Sequence, residues 1–495
     1  MSSLVKTPMY GVAGPLNKVP APMKPFINKE GSRIVPMAKA LEAYATPLMY
    51  YAQEDVDRAA HHAFSRFNSL TVGFERRLFS FEEAVAGVPG TNINGVPRNT
   101  SPGFPYVLRG HTNKKAFFGK SDDYEFDSEL AQEVRKEVDE VLMLAKQGKR
   151  STHVFVDFMK DELRGVEKAE AGKTRLISSA PLVYTIAFRM MFLAFTSAVQ
   201  STRIRNGAAI GINPYNEWNY LAQCMQSKGP HCVAGDFKGF DSSEQPQVHW
   251  AILEQINEWY DDGPENCLIR KVLWTEVVHS RHYGGIHGKC DTIYQWSKSL
   301  PSGHPATSII NSFYNLTIFN MVWTDLMGVR MASQFWDYVY ICTYGDDNIL
   351  NIDPRVVDRF NQNSIERAML VRGMVYTTEN KEEGTLATRP LSEISFLKRS
   401  FRFENILGEY VGPQELDSIL FISYWCKNKK LLRDITMCNV EQTFLELSLH
   451  GDEAWNQWAP LFKQKYREIM GEQPKQLFTR KEYLKTVVTM DLPWL

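Results

Sequence analysis

A chain of 495 residues with 44% hydrophobic content can bury a large core, as several domains or as one composite fold. Its formal net charge of −1 excludes a uniformly basic nucleic-acid coat, so any nucleic-acid surface must be a local patch or channel. Seven scattered cysteines with no C-x-x-C pair exclude a disulfide framework and point to a reducing compartment.

Pro8, Pro15, Pro20, Pro22 and Pro25 make the first thirty residues an extended, irregular arm. Interleaved Val, Met, Tyr and Phe predict that it packs on something. Residues 38–67 read as mostly helical, broken or kinked at Pro47. Thr100-Ser-Pro-Gly-Phe-Pro-Tyr106 is a loop by composition. Residues 128–147 form an amphipathic helix with Leu130, Val134, Val138, Val141 and Leu142 on one face. Residues 182–199 are the most membrane-like stretch, but Arg189 in their middle favours a buried core helix over a span. Val233-Ala234 lead, strand-like, into Gly-Asp-Phe-Lys-Gly-Phe-Asp, followed by a helix over 247–260. A Gly/Pro loop at 302–305 precedes a helix over 306–326. Two short apolar runs, 339–343 and 349–352, are joined by Tyr344-Gly-Asp-Asp347 as a hairpin. The last hundred residues are mostly helical. Gly451 ends one helix, and Trp455, Trp458, Phe462, Tyr466 and Ile469 form the packing face of the next.

Adjacent aspartates at a tight turn repel one another. Taken alone, Asp346-Asp347 is most simply a solvated turn. Flanked by apolar strands, however, the pair sits at the edge of a core, where Mg²⁺ would relieve the repulsion. Asp236, at the end of another short apolar strand, can supply a third carboxylate for a two-metal phosphoryl-transfer site. Lys160, Arg164, Lys168, Lys173 and Arg175 form the most basic segment of the chain, though interspersed acids also allow a plain charged hairpin. Strand alternation would put Lys173 and Arg175 on one face, suited to a triphosphate.

In chain order, seven segments resemble the motif series of picornavirus-type RNA-dependent RNA polymerases. They are Thr100–Tyr106, Lys160-Asp-Glu-Leu-Arg164, Lys173-Thr-Arg175, Asp236-Phe-Lys-Gly-Phe-Asp241, Pro301-Ser-Gly-His-Pro-Ala-Thr307 with Asn311, Tyr344-Gly-Asp-Asp347 and Phe396-Leu-Lys-Arg399. The Ser-Gly-His-Pro loop and Asn348 look more like the insect-infecting picorna-like viruses (dicistrovirus- or iflavirus-like) than the mammalian ones. The resemblance implies an α+β right-hand fold, with fingers, a palm built on an antiparallel sheet, a thumb and an encircled active site. It divides the chain into fingers and fingertips with the N-terminal arm (1–192), palm (193–249), fingers insertion (250–290), palm (291–400) and thumb (401–495).

The resemblance also assigns roles. Asp236, Asp346 and Asp347 would hold two Mg²⁺ or Mn²⁺ ions. Asp241 would meet the ribose 2′-hydroxyl, with Ser302, Gly303, Thr307 and Asn311 in the same sugar pocket; a plain helix start with an internal polar contact is the simpler reading of Thr307 and Asn311. Lys381 would protonate the leaving pyrophosphate, Thr100, Ser101, Pro102 and Gly103 would border the template, and Lys398 and Arg399 would grip the primer. Expected partners are a single-stranded RNA template, an RNA primer and nucleoside triphosphates, with either a small viral protein as primer or initiation without one. Peripheral association with replication membranes in the host cytoplasm is also implied. Two rivals differ in kind. A reverse transcriptase would carry a bulky residue near the sugar, and a silent RNA-binding scaffold would lack Asp236 or Asp346. A separate H-x₂-H-x₄-H-x₂-C cluster, His279, His282, His287 and Cys290, could bind zinc.

Overall fold

The computed structural model describes residues 2–285, 291–381, 386–471, 474 and 478–490. Its architecture follows from where the apolar runs must go. The helix Leu182–Ser201 is long and apolar enough to cross a membrane by composition, yet most of its side chains are packed inside the protein. Arg189, in its middle, donates to the carbonyls of Ala84 and Asn94 and so spends its hydrogen bonds on loops that cover it. The helix shares one large apolar core with Gln53–Leu70, Pro246–Tyr260, Pro264–Val278 and Thr307–Met327. The amphipathic helix Glu129–Lys146 covers that core. Val134, Val138 and Val141 are buried, and Ser128 caps the N-terminus by accepting from the Ala131 amide at 3.1 Å. The segment around Pro47 breaks the helical run as expected: Pro36–Glu42 ends in a short 3₁₀ turn, and helix resumes at Gln53.

The central sheet is four-stranded and wholly antiparallel, in the order Val339–Tyr344, Asp347–Ile352, His231–Phe237, Tyr376–Thr378. The register pairs Tyr344 with Asp347 and Asn348 with Gly235. One step further along, Asp347 and Asp236 leave adjoining strands at the same end of the sheet. A second four-stranded sheet, in the order Thr292–Gln295, Arg281–Gly284, Phe155–Met159, Leu176–Ser179, carries the basic segment. Lys173 and Arg175 are exposed on either side of buried Thr174, so the expected alternation holds, although the regular strand begins only at Leu176.

The proline-rich arm closes the molecule. Val5–Lys6 pairs with Trp425–Cys426, and Lys18–Pro20 pairs with Leu163–Gly165. Met9 is fully buried among Phe444, Phe462 and Tyr466. The Tyr424 hydroxyl accepts from the Ala13 amide at 2.7 Å and donates to the Gly14 carbonyl at 2.9 Å. Ser2 and Ser3 reach Asp161, and Lys427 donates to the Asp161 carbonyl. A single stretch of chain thus ties the C-terminal helical unit to the basic hairpin.

That unit comprises Leu432–Ser448, Asp452–Met470 and Arg480–Val488. Gly451, at φ +94°, separates the first two helices. Trp455, Phe462 and Tyr466 are buried as expected, but Trp458 is only half-buried and Ile469 is exposed, because each follows a buried position by three residues and so falls on the same flank of the contact face. Of the expected boundaries, 192/193 falls inside Leu182–Ser201 and 249/250 inside Pro246–Tyr260. The cut at 290/291 would part Arg281–Gly284 from Thr292–Gln295, which pair with each other.

Replacing Met9 with Ala should destabilise the C-terminal unit by about 2–5 kcal/mol, the usual cost of emptying a buried methionine site. Denaturant unfolding followed by tryptophan fluorescence would show it. An unchanged midpoint would mean that the arm does not pack there in solution.

Candidate active site

The Tyr344–Asp347 hairpin has a two-residue turn. Gly345 stands at φ +64° in its first central position, where an L side chain would be strained. The turn is held from below by neutral hydroxyl and amide groups. Ser312 Oγ accepts from the Gly345 amide at 2.9 Å, Asn315 Nδ2 donates to the Gly345 and Asp346 carbonyls, and Asn348 Nδ2 donates to the Asp346 carbonyl at 3.1 Å. Tyr376 in turn fixes Asn348, donating to its Oδ1 at 2.6 Å. Asn315 was missed in the sequence, although it lies one helical turn beyond Asn311 on the same face.

The carboxylates strain against one another. Burial raises Asp346 above its usual range, opposed by its own turn's backbone amides and reinforced by Asp236. Burial, Asp346 and Asp236 push Asp347 up to about 7, against a smaller pull from Lys398. Lys381 places its ammonium 3.2 Å from Asp236 Oδ2. Among the described residues no three acidic or imidazole groups are drawn into a ready-made cage. Mg²⁺ takes one or two carboxylates and completes its octahedron with water and phosphate oxygens. The hard carboxylate oxygens of Asp236, Asp346 and Asp347 fit such an ion.

Asn311 Nδ2 donates to Asp241 Oδ1 at 2.8 Å, while Asn311 Oδ1 is buried without a partner. A buried acceptor left open beside a carboxylate is where a sugar hydroxyl would be received. Burial and Asp346 raise Asp241 to about 6, with Asn311 and Arg175 opposing. Thr307 does not join this pair by any hydrogen bond: its hydroxyl meets the Pro301 and His304 carbonyls and closes the loop before its own helix. The simpler helix-start reading therefore describes Thr307. Ser302 and Gly303 lie against the strand at Ser178 and Ser179; a Cβ on Gly303 would come 2.1 Å from the Ser178 carbonyl oxygen, so only glycine fits. His304 Nδ1 accepts from the Ala306 amide, which leaves Nε2 to donate to Tyr184 at 2.7 Å.

Across the site stand the basic side chains. Arg175 clasps Glu162 through Nε and a terminal nitrogen, Lys160 lies 3.8 Å from the same carboxylate and Arg164 3.9 Å from it. Asp346 and Asp241 both act on Arg175 electrostatically, and Lys381 and Asp236 on Lys168. The carboxylate centre and the basic hairpin therefore face each other. Lys173 is exposed beside Lys168, its amide bonded to the Lys168 carbonyl.

The remaining residues divide. Thr100 is exposed and Ser101 half-buried, but Pro102 and Gly103 are buried against 180–182 and serve as backing for the loop. Lys114, invisible as a site residue in sequence, donates to Thr100 Oγ1 at 2.6 Å and to the Ser101 carbonyl at 2.8 Å; burial lowers it to about 8. Leu397 and Lys398 both adopt positive φ in the turn between Ser395–Phe396 and Arg399–Ser400, with Lys398 exposed toward Asp347. Arg399 is not available to a primer. It is buried and bonded twice to Glu446 and once to the Gly412 carbonyl. In the zinc cluster, His287 and Cys290 lie outside the described residues. His282 has both ring nitrogens engaged, by Asp157 at 2.9 Å and Ser280 at 2.7 Å, which removes it as a ligand.

An antiparallel sheet bearing paired carboxylates at one end, the Asp241–Asn311 pair with its open acceptor nearby and a basic hairpin opposite is the arrangement of a palm-type nucleic-acid polymerase. The chain belongs to the viral RNA-dependent RNA polymerase family, whose model matches residues 10–468. It is 33% identical to the replicase polyprotein of Drosophila C virus and 34% identical to that of cricket paralysis virus, over 98% of its own length in each case. With the replicase polyprotein of acute bee paralysis virus it shares 31% identity over 94% of its length. It spans 29%, 28% and 25% of those relatives, respectively. Its structure superposes on a Sicinivirus 3Dpol RNA-dependent RNA polymerase with a TM-score of 0.79 at 22% identity, covering 99% of this chain and 96% of the other, which establishes the right-hand fold. The resemblance to polymerases of insect picorna-like viruses is borne out.

The raised carboxyls predict a pH effect on the metal-free protein. A raised folded pKa means that the native state keeps a proton the unfolded chain releases, so Asp347 costs stability as pH rises from about 4 to about 7. Asp347→Asn removes that cost. In chelator the variant should melt above the wild type at pH 7.5, and the two should converge near pH 4. Equal melting at both pH values would show that Asp347 titrates normally.

Proposed function

We propose that this chain extends an RNA 3′ end by templated transfer of nucleoside monophosphates from NTPs, as the replicating polymerase of an RNA virus. The observation that carries this reading is the juxtaposition of Asp236, Asp346 and Asp347 with the Asp241–Asn311 pocket and the basic hairpin. Asp236 and Asp346 would hold two Mg²⁺ or Mn²⁺ ions, with Asp347 supporting. Bound there, the ions would supply Lewis-acid activation of the 3′-hydroxyl and charge stabilisation for the leaving pyrophosphate.

The chain's own residues do the rest. Arg175, Arg164, Lys160, Lys168 and Lys173 receive the triphosphate, Arg175 by exchanging Glu162 for phosphate oxygens. Asp241 and Asn311 receive the ribose 2′-hydroxyl, the group that separates RNA from DNA precursors. Lys381, at 67% exposure beside Asp236, can carry a proton toward the leaving group. Thr100 and Ser101 border the template, and Lys398 the primer strand.

The units follow the boundaries given above: fingers 1–192 and 250–290, palm 193–249 and 291–400, thumb 401–495. A small protein carrying a tyrosine hydroxyl is the proposed primer, and cytoplasmic replication membranes the proposed place of action, bound peripherally.

Primer extension on a short RNA template with NTPs and Mg²⁺ or Mn²⁺ tests the reading. Wild type should extend and Asp346→Ala should not. A folded wild type that binds RNA without extending it would make the chain a scaffold. Asp241→Ala should also lose preference for NTP over 2′-dNTP or lose activity; full activity with unchanged preference would remove Asp241 from the sugar pocket.

A further inference from the structure

Three residues after Asp241, the carboxyl of Glu244 is wholly enclosed, and so is the imidazole of His249. Glu244 Oε2 lies 2.8 Å from His249 Nε2. Neither carboxyl oxygen and neither ring nitrogen has a formed hydrogen bond, because at its present angle the close pair is off line. Buried polar atoms left open are rare, and here Glu244 Oε2 and His249 Nε2 already stand at hydrogen-bond distance. Burial pushes the Glu244 carboxyl well above the usual carboxylate range, with Asp241 and Asp346 acting in the same direction, and burial pulls the His249 imidazole below its ordinary value. A protonated carboxyl is a donor and a bare Nε2 an acceptor, so a small rotation of the carboxyl completes the bond.

The place of the pair gives it a use. Asp241 sits on a single helical turn, Phe240–Ser243, entered through Gly239 at φ +64° and left through Glu244 in extended backbone. One turn closes too few hydrogen bonds to hold itself. On one side Asn311 donates to Asp241. On the other, the Gln245 amide donates to the Tyr314 hydroxyl at 2.7 Å, and the Glu244 carbonyl accepts from the Ser299 amide at 3.0 Å. Asn311 and Tyr314 lie one turn apart on the same helix, and the Tyr314 ring packs on His249, 5.0 Å between centroids. The trailing end of the turn is thus held through its backbone, and the enclosed Glu244 side chain runs from there to His249.

We propose that Glu244 and His249 form a neutral acid–imidazole pair that positions the Asp241 turn and thereby sets discrimination for the ribose 2′-hydroxyl. The inference rests on the polymerase reading. Both are positioning residues, since neither touches the nucleotide.

The test compares incorporation of NTP and matched 2′-dNTP opposite one template base, in wild type, Glu244→Gln, Glu244→Leu and His249→Phe. The glutamine keeps an N–H donor for Nε2 and should discriminate like wild type. The leucine and phenylalanine variants should lose about tenfold in NTP-over-dNTP preference, the order of one buried hydrogen bond. A merely structural role would lower both nucleotides together, and that result, or an unchanged ratio, overturns the proposal. Infrared difference spectra serve if the leucine and phenylalanine variants do not fold. At neutral pH the wild type should show a protonated-carboxyl band that Glu244→Gln lacks; a difference confined to carboxylate bands means an ionised Glu244 and overturns the pair. Failure of the wild type to extend at all would instead sink the polymerase reading, and is seen in the same assay.

Discussion

Electrostatic repulsion among three carboxylates is the constraint around which this molecule is organised. Asp236 and Asp347 leave adjoining strands at one end of the sheet, and Asp346 sits in the turn beside them. Lys381 lies against Asp236, but the turn that carries Asp346 and Asp347 is itself held without charged side chains. Ser312, Asn315 and Asn348 grip the turn through hydroxyl and amide groups, and Tyr376 braces Asn348 from behind. Cations in those places would have relieved the repulsion internally. Neutral side chains keep the shape without adding charge of their own. Burial first, and then Asp346, raise the Asp347 and Asp241 carboxyls.

Such a site also needs its two walls held at a fixed distance. The carboxylates belong to the central sheet and the guanidinium and ammonium groups to the second sheet, so the large shared apolar core sets one side of the cleft. The other side is set by the arm, which pairs with Trp425–Cys426 at one place and with Leu163–Gly165 at another. Two short strand pairs would be marginal alone. Burial of Met9 and the double hydrogen bond of Tyr424 make the attachment cooperative. Encirclement therefore comes from the least regular thirty residues of the chain.

Local patterns were legible in the sequence. Alternation, caps and turn chemistry gave the hairpin at Gly345, the helix after Ser128 and the break at Pro47, because each is decided within a few residues. The carboxylates and basic side chains were legible as an ordered series. What could not be read was partnership at a distance. Arg399 looked like a primer contact until Glu446, forty-seven positions on, was seen to bury it. Thr307 looked like a sugar ligand, but its hydroxyl is consumed by its own loop. Lys114 showed no motif at all, since its meaning lies in the Thr100 and Ser101 oxygens it supports. Hydroxyl and guanidinium groups have many possible partners, and only the packed chain chooses one.

Two arginine–glutamate pairs show how burial, not chemistry, decides between structure and function. Arg399–Glu446 and Arg175–Glu162 are the same forked contact. The first is sealed, with side-chain exposures of 7% and 2%. Parting it would leave two uncompensated charges in an apolar setting, so it can serve only as a fixed joint under the turn that carries Lys398. In the second, Arg175 is 57% exposed, and a pair so open to water is held weakly. Burial works against the Glu162 charge, but Arg175, Lys160 and Arg164 keep its carboxyl below the usual range. Glu162 thus occupies the centre of the basic cluster as an anion, which on the proposed reading a triphosphate, with more charge and more oxygens, would displace. The hairpin would then be held together before the nucleotide arrives and have its arginine fork free when it does.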